Sequence, residues 1–195
     1  GTGSILDRVL VQGNNGGGIE VGPVPAAVIQ NSSILGNGDD NTVSGPSEYG
    51  GVWARGSLHL VNSTLESNEA EVSFAPQLRC ADGNAVAFNS VLLNKNGVTT
   101  APVTAVCVLH SSAFAFAGAA INGNVTLTGC LDSDVFVRAT APIDLHPRKD
   151  AKDGCKLIDL GLQSAAGLTA PTVDFAGAMR PQGGGYDIGA FESTP

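Results

Sequence analysis

The sequence predicts an all-β fold, a parallel β-helix that forms a solenoid of short strands with a loop-rich C-terminal cap. Three observations lead to this prediction: the composition, motifs that recur at nearly constant intervals, and four evenly spaced cysteines. Charged residues make up 14% of the 195 residues and aromatic residues 5%, whereas glycine occurs 26 times. A typical globular domain carries about 25% charged residues. A chain rich in glycine, asparagine, serine, threonine and aliphatic residues indicates many short strands joined by turns.

A motif of asparagine followed by serine recurs along the first part of the chain. Its copies are Gln30-Asn31-Ser32, Val61-Asn62-Ser63, Phe88-Asn89-Ser90 and, with histidine in the asparagine position, Leu109-His110-Ser111. A second motif occurs as Gly17-Gly18-Ile19-Glu20-Val21 and as Gly50-Gly51-Val52-Trp53-Ala54. Intervals of 21 to 33 residues are typical of a solenoid whose coils stack inward-facing residues into one aliphatic core. We expect the asparagines, with His110 as a substitute, to form a ladder between coils.

The cysteines repeat at the same interval. Cys80, Cys107, Cys130 and Cys155 lie 27, 23 and 25 residues apart and form no C-x-x-C pair of the zinc or thioredoxin type. Adjacent strands lie about 4.8 Å apart, and a disulfide tolerates Cα separations of about 4.4 to 6.8 Å. Cysteines one coil apart can therefore bridge. We expect Cys80–Cys107 and Cys130–Cys155, with Cys107–Cys130 as the alternative, and two bridges predict an oxidising, extracytoplasmic compartment.

Charge and hydropathy exclude several classes of partner. The formal net charge of −8 argues against nucleic acid, which a basic surface would bind, and against an anionic membrane surface. No apolar run reaches the roughly 18 residues of a transmembrane helix. The chain begins with Gly1 and has neither an initial methionine nor a signal peptide. We interpret it as the C-terminal part of a larger secreted protein.

The sequence changes character after about Cys130. The Asn-Ser motif stops, charged residues cluster, and Pro142 and Pro147 discourage regular structure. We expect one domain over residues 1–195, with β-helix coils over 1–130. A terminal coil and a C-terminal cap over 131–195 would then block further pairing at the open end.

The segment that ends the chain carries a distinctive motif. From Asp174 to Glu192 it runs DFAGAMRPQGGGYDIGAFE. It resembles the C-terminal signature of bacterial choice-of-anchor (Q-type) surface proteins, roughly D-x-x-G-x-x-R-x-x-G-x-x-D-I-G-A-[FY]-E. Cys155–Gly161 also resembles that family's C-x-I-D-x-G element, with one inserted residue. The resemblance implies a right-handed parallel β-helix, closed by this segment before a cell-surface anchor, in a bacterial secreted or surface protein.

Physical chemistry assigns the motif a structural role. A buried Arg180 is suited to fork onto a carboxylate, and the glycines supply backbone conformations that other residues rarely adopt. The alternative is a site for a sugar acid or a metal. We predict structural cap residues, namely Asp174, Gly177, Arg180, Asp187, Gly189 and Glu192.

One surface group is a candidate binding site. In the segment Val52–Arg55, alternation places Val52 and Ala54 inward and leaves Trp53 and Arg55 outward, with Tyr49 nearby. An outward tryptophan can stack on a sugar ring while an arginine bonds its hydroxyls or carboxylate. The alternative is that the indole packs under a neighbouring loop. Trp53, Tyr49 and Arg55 are therefore the candidate residues for a polysaccharide or cell-surface glycan.

Enzymatic readings find little support in the sequence. The acidic pair Asp39-Asp40 lies in a turn-like segment, and Lys95 has no neighbouring carboxylate cluster of the kind that calcium-dependent lyases use. His59, His110 and His146 are scattered, and no nucleophile elbow occurs. We predict no catalytic residue, no metal and no cofactor, and a module for adhesion or carbohydrate contact. A polysaccharide lyase or glycoside hydrolase is one alternative, and a purely structural stalk is another.

Overall fold

The computed structural model describes residues 3–23, 26–38, 49–70, 76–80, 85–93, 107–114, 124–127, 129–138 and 143–194. These residues form short strands and a one-turn helix, α1 (Asp132–Val135). The strands are β1 (Ile5–Asp7), β2 (Leu10–Gln12), β3 (Ile19–Val21), β4 (Ala27–Gln30), β5 (Ser33–Leu35), β6 (Val52–Ala54), β7 (Leu58–Val61), β8 (Thr64–Glu66), β9 (Leu78–Cys80), β10 (Ala85–Phe88), β11 (Val91–Leu93), β12 (Val108–His110), β13 (Ala113–Phe114), β14 (Val125–Thr126), β15 (Phe136–Arg138), β16 (Asp144–Pro147), β17 (Ser164–Ala165) and β18 (Leu168–Thr169).

Three parallel sheets contain most of the strands. Sheet A has the order β1-β4-β7-β10-β12, sheet B the order β2-β5-β8-β11-β13-β14, and sheet C the order β3-β6-β9. From β1 to β11, every third strand along the chain belongs to the same sheet. Parallel neighbours need such crossovers, because a tight hairpin can join only antiparallel strands.

The predicted fold class is wrong. We expected a right-handed parallel β-helix closed by a loop-rich cap, but the described residues form several small sheets of short strands, and a right-handed β-helix is not shown. Besides parallel sheets of five, six and three strands there are two antiparallel pairs, β15–β16 and β17–β18. The repeated motifs predict uniform coils, but the motifs stop near Cys130. Beyond that point strands close in sequence pair by reversing direction, which needs only a short connection.

In-register stacking builds the aliphatic core. Ile29, Leu60, Ala87 and Leu109 follow one another across sheet A at the same register position, and each is fully buried. An equivalent row in sheet B is formed by Ile34, Leu65, Leu92 and Phe114. Burying one such side chain contributes about 1.5–3 kcal/mol. The two rows, with inward residues of sheet C, form a single core cluster.

The asparagines of the repeat occupy the turns between sheet A and sheet B. Asn31, Asn62 and Asn89 have φ values of 48°, 43° and 48°, in the left-handed region that asparagine tolerates better than most residues. The prediction for the fourth copy is wrong by one residue. His110 pairs in register with Phe88 and ends strand β12, so Ser111, with φ of 45°, takes the asparagine position.

The serines that follow form a continuous ladder. The main-chain N–H of Ser32 donates to Ser63 Oγ, that of Ser63 to Ser90 Oγ, and that of Ser90 to Ser112 Oγ, each at 3.2 Å. Each of these hydroxyls in turn donates to the main-chain carbonyl two residues earlier. The ladder therefore satisfies buried main-chain groups that strand pairing leaves without a partner.

A second ladder follows sheet B on its C-terminal side. Asn14 Nδ2 donates to Asn37 Oδ1 at 2.8 Å, Asn37 Nδ2 to Asn68 Oδ1 at 3.0 Å, and Asn68 Nδ2 to Gln77 Oε1 at 2.6 Å. Asn37, Asn68 and Gln77 are buried. Each amide is both donor and acceptor, so one side chain supports its neighbours on either side.

Both predicted disulfides are confirmed. Cys80–Cys107 has a Cα separation of 5.5 Å and Cys130–Cys155 one of 5.8 Å, so the alternative bridge Cys107–Cys130 is not formed. Two disulfides indicate an oxidising, extracytoplasmic environment. Within the described ranges, no helix has the length and apolar character needed to cross a membrane.

The C-terminal segment packs along the outer face of sheet B. Leu35, Val91 and Leu93 point away from the first core and join a second cluster with Leu157 and Ile188. Main-chain groups also meet the sheet, since Gly189 N–H donates to the Asn89 carbonyl at 2.8 Å and Ala190 N–H to Thr64 Oγ1 at 3.1 Å. The central strands β5, β8 and β11 of sheet B are thus buried on both faces, whereas the edge strands β2 and β14 keep exposed residues.

The second ladder yields a stability prediction. Asn37→Ala removes a buried side chain that bonds Asn14, Asn68 and the Val11 carbonyl. We expect the free energy of unfolding, measured by urea denaturation with disulfides intact, to fall by about 1–3 kcal/mol, because the buried partners lose their bonds. Asn14→Ala, at the exposed end of the same ladder, is the matched control and should cost less. Equal losses for the two variants would contradict the ladder's stabilising role.

Candidate functional site

The outer face of sheet C brings a row of polar and aromatic side chains together. Glu20, Trp53 and Arg79 lie at the same register position of β3, β6 and β9. Their strand neighbours Val52 and Ala54 are fully buried, while the indole is only partly buried. The predicted orientation of the β6 side chains is therefore confirmed. Together with Tyr49 and Arg55, the three residues of the row are called the Trp53 face below.

Two guanidinium groups and a phenol surround the indole. The guanidinium carbon of Arg79 lies 4.5 Å from the Trp53 ring centroid and that of Arg55 lies 5.1 Å from it. The Tyr49 ring centroid lies 5.6 Å from the indole, tilted by 46°. A cation–π contact at an exposed site contributes about 0.5–1 kcal/mol. These contacts hold the indole without removing it from solvent.

Tyr49 is held against the backbone of the first glycine motif. Gly17 has φ of 106°, and a Cβ there would lie 2.6 Å from the tyrosine ring. Only glycine allows this approach, which explains the Gly-Gly pair ahead of β3. Partial burial, followed by the charge of Glu20, raises the pKa of the Tyr49 phenol, so the hydroxyl stays protonated and can donate a hydrogen bond.

Electrostatics distinguish this face from the rest of the surface. The protein carries a net charge of −8, yet the Trp53 face holds two arginines and one glutamate. Arg55 Nε lies 2.9 Å from Glu20 Oε1, with side chains 46% and 39% exposed. An ion pair this exposed contributes little, about 0–1 kcal/mol. A ligand carboxylate could therefore replace the glutamate at small cost.

The C-terminal motif assembles around Arg180. Its Nη1 donates to Glu192 Oε2 at 2.6 Å, and its Nη2 donates to the Gly189 carbonyl at 2.9 Å. The side chains of Arg180 and Glu192 are 0% and 1% exposed. The predicted contact with a carboxylate is present. The guanidinium group, however, donates to one carboxylate oxygen of Glu192 and to main-chain carbonyls, and it does not bind both carboxylate oxygens.

The other carboxylates of the motif bind main-chain N–H groups. Asp187 accepts from Asp159 at 2.8 Å and from Ser193 at 2.7 Å. Asp174 accepts from Ala178 at 2.7 Å and from Glu192 at 2.9 Å. Asp174 and Asp187 are buried, so these bonds use their carboxylates inside the protein. The arrangement ties successive turns of the segment to one another.

Burial and hydrogen bonding act in opposite directions on the charges of the motif. Burial raises the pKa of Asp187 and of Glu192, while main-chain donors and Arg180 oppose that rise. Burial likewise lowers the pKa of Arg180, and the neighbouring carboxylates oppose that fall.

The glycines of the motif adopt backbone conformations that other residues rarely do. Gly177 and Gly189 have φ values of 89° and 113°, and Gly189 lies against Thr64 and Val91 of sheet B.

A surface cavity that the sequence did not predict lies beside strand β16. It has a volume of about 490 Å³ and is lined by Asp144, His146, Arg148, Lys149 and Ser193, among others. The signal was present in the sequence, because residues two apart on a strand share a face, and Asp-x-His places two polar groups together. The structure instead brings residues of the expected polar cap together with His146 at this cavity.

The other residues that the sequence analysis considered for catalysis lie away from these sites or outside the described residues. Asp39, Asp40 and Lys95 lie outside the described residues. His59 is half-buried on the outer side of β7. Over the part of the chain that the structure describes, no group of three or more His, Cys, Asp or Glu side chains could hold a metal ion.

The buried ion pair gives a second prediction. Arg180→Met keeps most of the side-chain volume but leaves Glu192 buried without its cation, so the free energy of unfolding should fall by about 3–5 kcal/mol. Adding Glu192→Gln to Arg180→Met should recover part of that loss, because residue 192 then carries no charge that lacks its cation. Thermal and urea unfolding measure both. Lys156→Met, at an exposed ion pair, is the control, and an Arg180→Met variant as stable as this control would refute a structural role.

Comparison with known proteins identifies no relative of this chain. Nothing matches the chain among protein-family models, curated proteins or solved structures. The likeness of the C-terminal motif to choice-of-anchor surface proteins therefore stays a prediction from its sequence. Because one fold can serve many functions, a function has to be argued from the site.

Proposed function

We propose that the chain is a non-enzymatic extracellular module that contacts acidic carbohydrate through the Trp53 face. The observation that carries the proposal is the partly exposed indole on the outer side of sheet C, with the guanidinium groups of Arg55 and Arg79 both against its ring. An aromatic ring offers a flat apolar surface to the face of a sugar ring, and an arginine suits bidentate recognition of a carboxylate.

The arrangement favours an acidic glycan over a neutral one. A guanidinium that lies over an aromatic ring keeps its N–H donors in its own plane, at the edge, where a planar carboxylate can accept two of them. Arg55 is exposed and shares a single contact with Glu20. Tyr49 supplies a phenol that can donate to a sugar hydroxyl. The packed indole reduces the ordering that binding would otherwise require.

A secreted or cell-surface location, in a bacterium, belongs to the same proposal. Two disulfides support an oxidising compartment. The segment from Asp174 to Glu192 supports a surface protein of the choice-of-anchor (Q-type) kind through its resemblance to that family's C-terminal signature. Adhesion to an acidic polysaccharide or cell-surface glycan fits both.

Tryptophan fluorescence gives a direct test, because Trp53 is the single tryptophan in the chain. Titration with polygalacturonate should change the emission in a saturable way, and added salt should weaken the effect, because exposed charges are screened. A neutral polysaccharide such as dextran should produce no change. Identical behaviour with the acidic and the neutral polymer would refute the proposal.

Arginine variants test the role of charge. Arg55→Ala should weaken binding to polygalacturonate by roughly tenfold, equivalent to about 1.4 kcal/mol, as measured by retention on an affinity gel. Arg8→Ala is the matched control, because Arg8 pairs with Asp7 at 3.3 Å in an equally exposed ion pair on another sheet. Equal effects of the two variants would show only a dependence on net charge. Release of shortened polysaccharide during incubation would instead support the lyase or hydrolase alternative. A protein that is neither retained on the gel nor releases product would support a structural stalk.

A further inference from the structure

The cavity beside strand β16 has walls that are fixed by the fold. β16 pairs antiparallel with β15, and along it Leu145 and Pro147 are buried while Asp144 and His146 face the cavity side. The segment at Ser193 also lines the cavity, and the Ser193 hydroxyl donates to the Pro147 carbonyl of β16 at 2.9 Å. The same residue's N–H donates to the buried Asp187 carboxylate at 2.7 Å. The C-terminal motif therefore positions one side of the cavity.

His146 is held in place from two sides. Its Nδ1 lies 2.6 Å from Asp144 Oδ1, and its ring packs on Phe191 with a centroid separation of 4.7 Å. Burial opposes ionisation of Asp144, but hydrogen bonds from the His146 side chain and main chain lower the pKa of its carboxyl overall. With Nδ1 bonded to a carboxylate, Nε2 is the ring nitrogen left for a ligand.

Charges in the cavity leave one cation without a carboxylate. Arg148 donates from Nε and Nη2 to both oxygens of Asp150, at 2.8 and 2.6 Å, and from Nη1 to the Ser133 carbonyl. Asp144 is engaged by His146. Among the described residues, Lys149 forms no ion pair, and it is one of the residues that line the cavity. The two paired carboxylates keep free lone pairs that can accept hydrogen bonds.

We propose that this cavity binds the acidic monosaccharide unit of a glycan, a uronate, with its carboxylate on Lys149 and its hydroxyls on Asp144, Asp150 and His146 Nε2. A small inorganic anion would use only the lysine, whereas a neutral sugar would leave the lysine unused. The volume of about 490 Å³ lies within the range of about 300–1,000 Å³ that is usual for ligand sites. The site is separate from the Trp53 face and uses none of its residues.

Histidine ring signals in two-dimensional NMR spectra provide the test, since the chain holds three histidines. Titration with free galacturonate should shift the His146 signals and leave those of His59 and His110 in place. Galactose at the same concentration should shift them at least fivefold less. Equal shifts with acetate would overturn the sugar assignment, and equal shifts with galactose would overturn the role of the carboxylate.

Variants separate this site from the Trp53 face. Lys149→Gln should weaken galacturonate binding at least fivefold, whereas Lys156→Gln, which removes a lysine paired with Asp153 outside the cavity, should leave it unchanged. Trp53→Ala should also leave the His146 shifts unchanged, even though it weakens retention on polygalacturonate. Loss of the His146 shifts in Trp53→Ala, or their persistence in Lys149→Gln, would refute the second site.

Discussion

In-register parallel pairing places each turn residue beside its equivalent on the neighbouring strand, where a main-chain N–H must find an acceptor inside the protein. Serine solves this problem repeatedly. The hydroxyl of Ser63 accepts from the N–H of Ser32 and donates to the carbonyl of Val61. One small side chain thus satisfies two main-chain groups that water cannot reach. The sheets can stack only because this position is filled by a residue with both a donor and an acceptor.

The asparagines of the same turns connect the sheets to the C-terminal segment. Asn62 Nδ2 donates to the Asp187 carbonyl, and Asn89 exchanges hydrogen bonds with the main chain of Leu162 in both directions. Polar turn residues therefore act as docking points for a segment far away in sequence. The buried pair of Arg180 and Glu192 then fixes the shape of that segment, and Ser193 carries this order to the wall of the surface cavity.

Local patterns in the sequence predicted the parts of the structure that depend on local physics. Alternation in Val52–Arg55 predicted that Trp53 lies outside, and the cysteine intervals favoured Cys80–Cys107 while they left Cys107–Cys130 open as the alternative. The overall fold class was not accessible in the same way, because its handedness came from a resemblance and not from the repeat. His110 was misplaced by one residue, since the motif gave no sign that β12 continues through it. Asp-x-His was a local sign that Asp144 and His146 share a face of β16, but the cavity also needs Ser193 packed against Pro147, a long-range contact that no local pattern encodes.

The spacing between equivalent positions is less constant than their pairing. Ser32 and Ser63 are 31 residues apart, Ser63 and Ser90 are 27 apart, and Ser90 and Ser112 are 22 apart, yet each pair makes the same hydrogen bond. Differences in length must therefore be absorbed in the connections that follow Leu35, Glu66 and Leu93 at the ends of β5, β8 and β11. The ladder residues Asn37 and Asn68 lie two positions after β5 and β8, so these connections can gain or lose residues beyond them without disturbing the ladders. They are the places where foreign peptides could be inserted and displayed while the sheets remain intact.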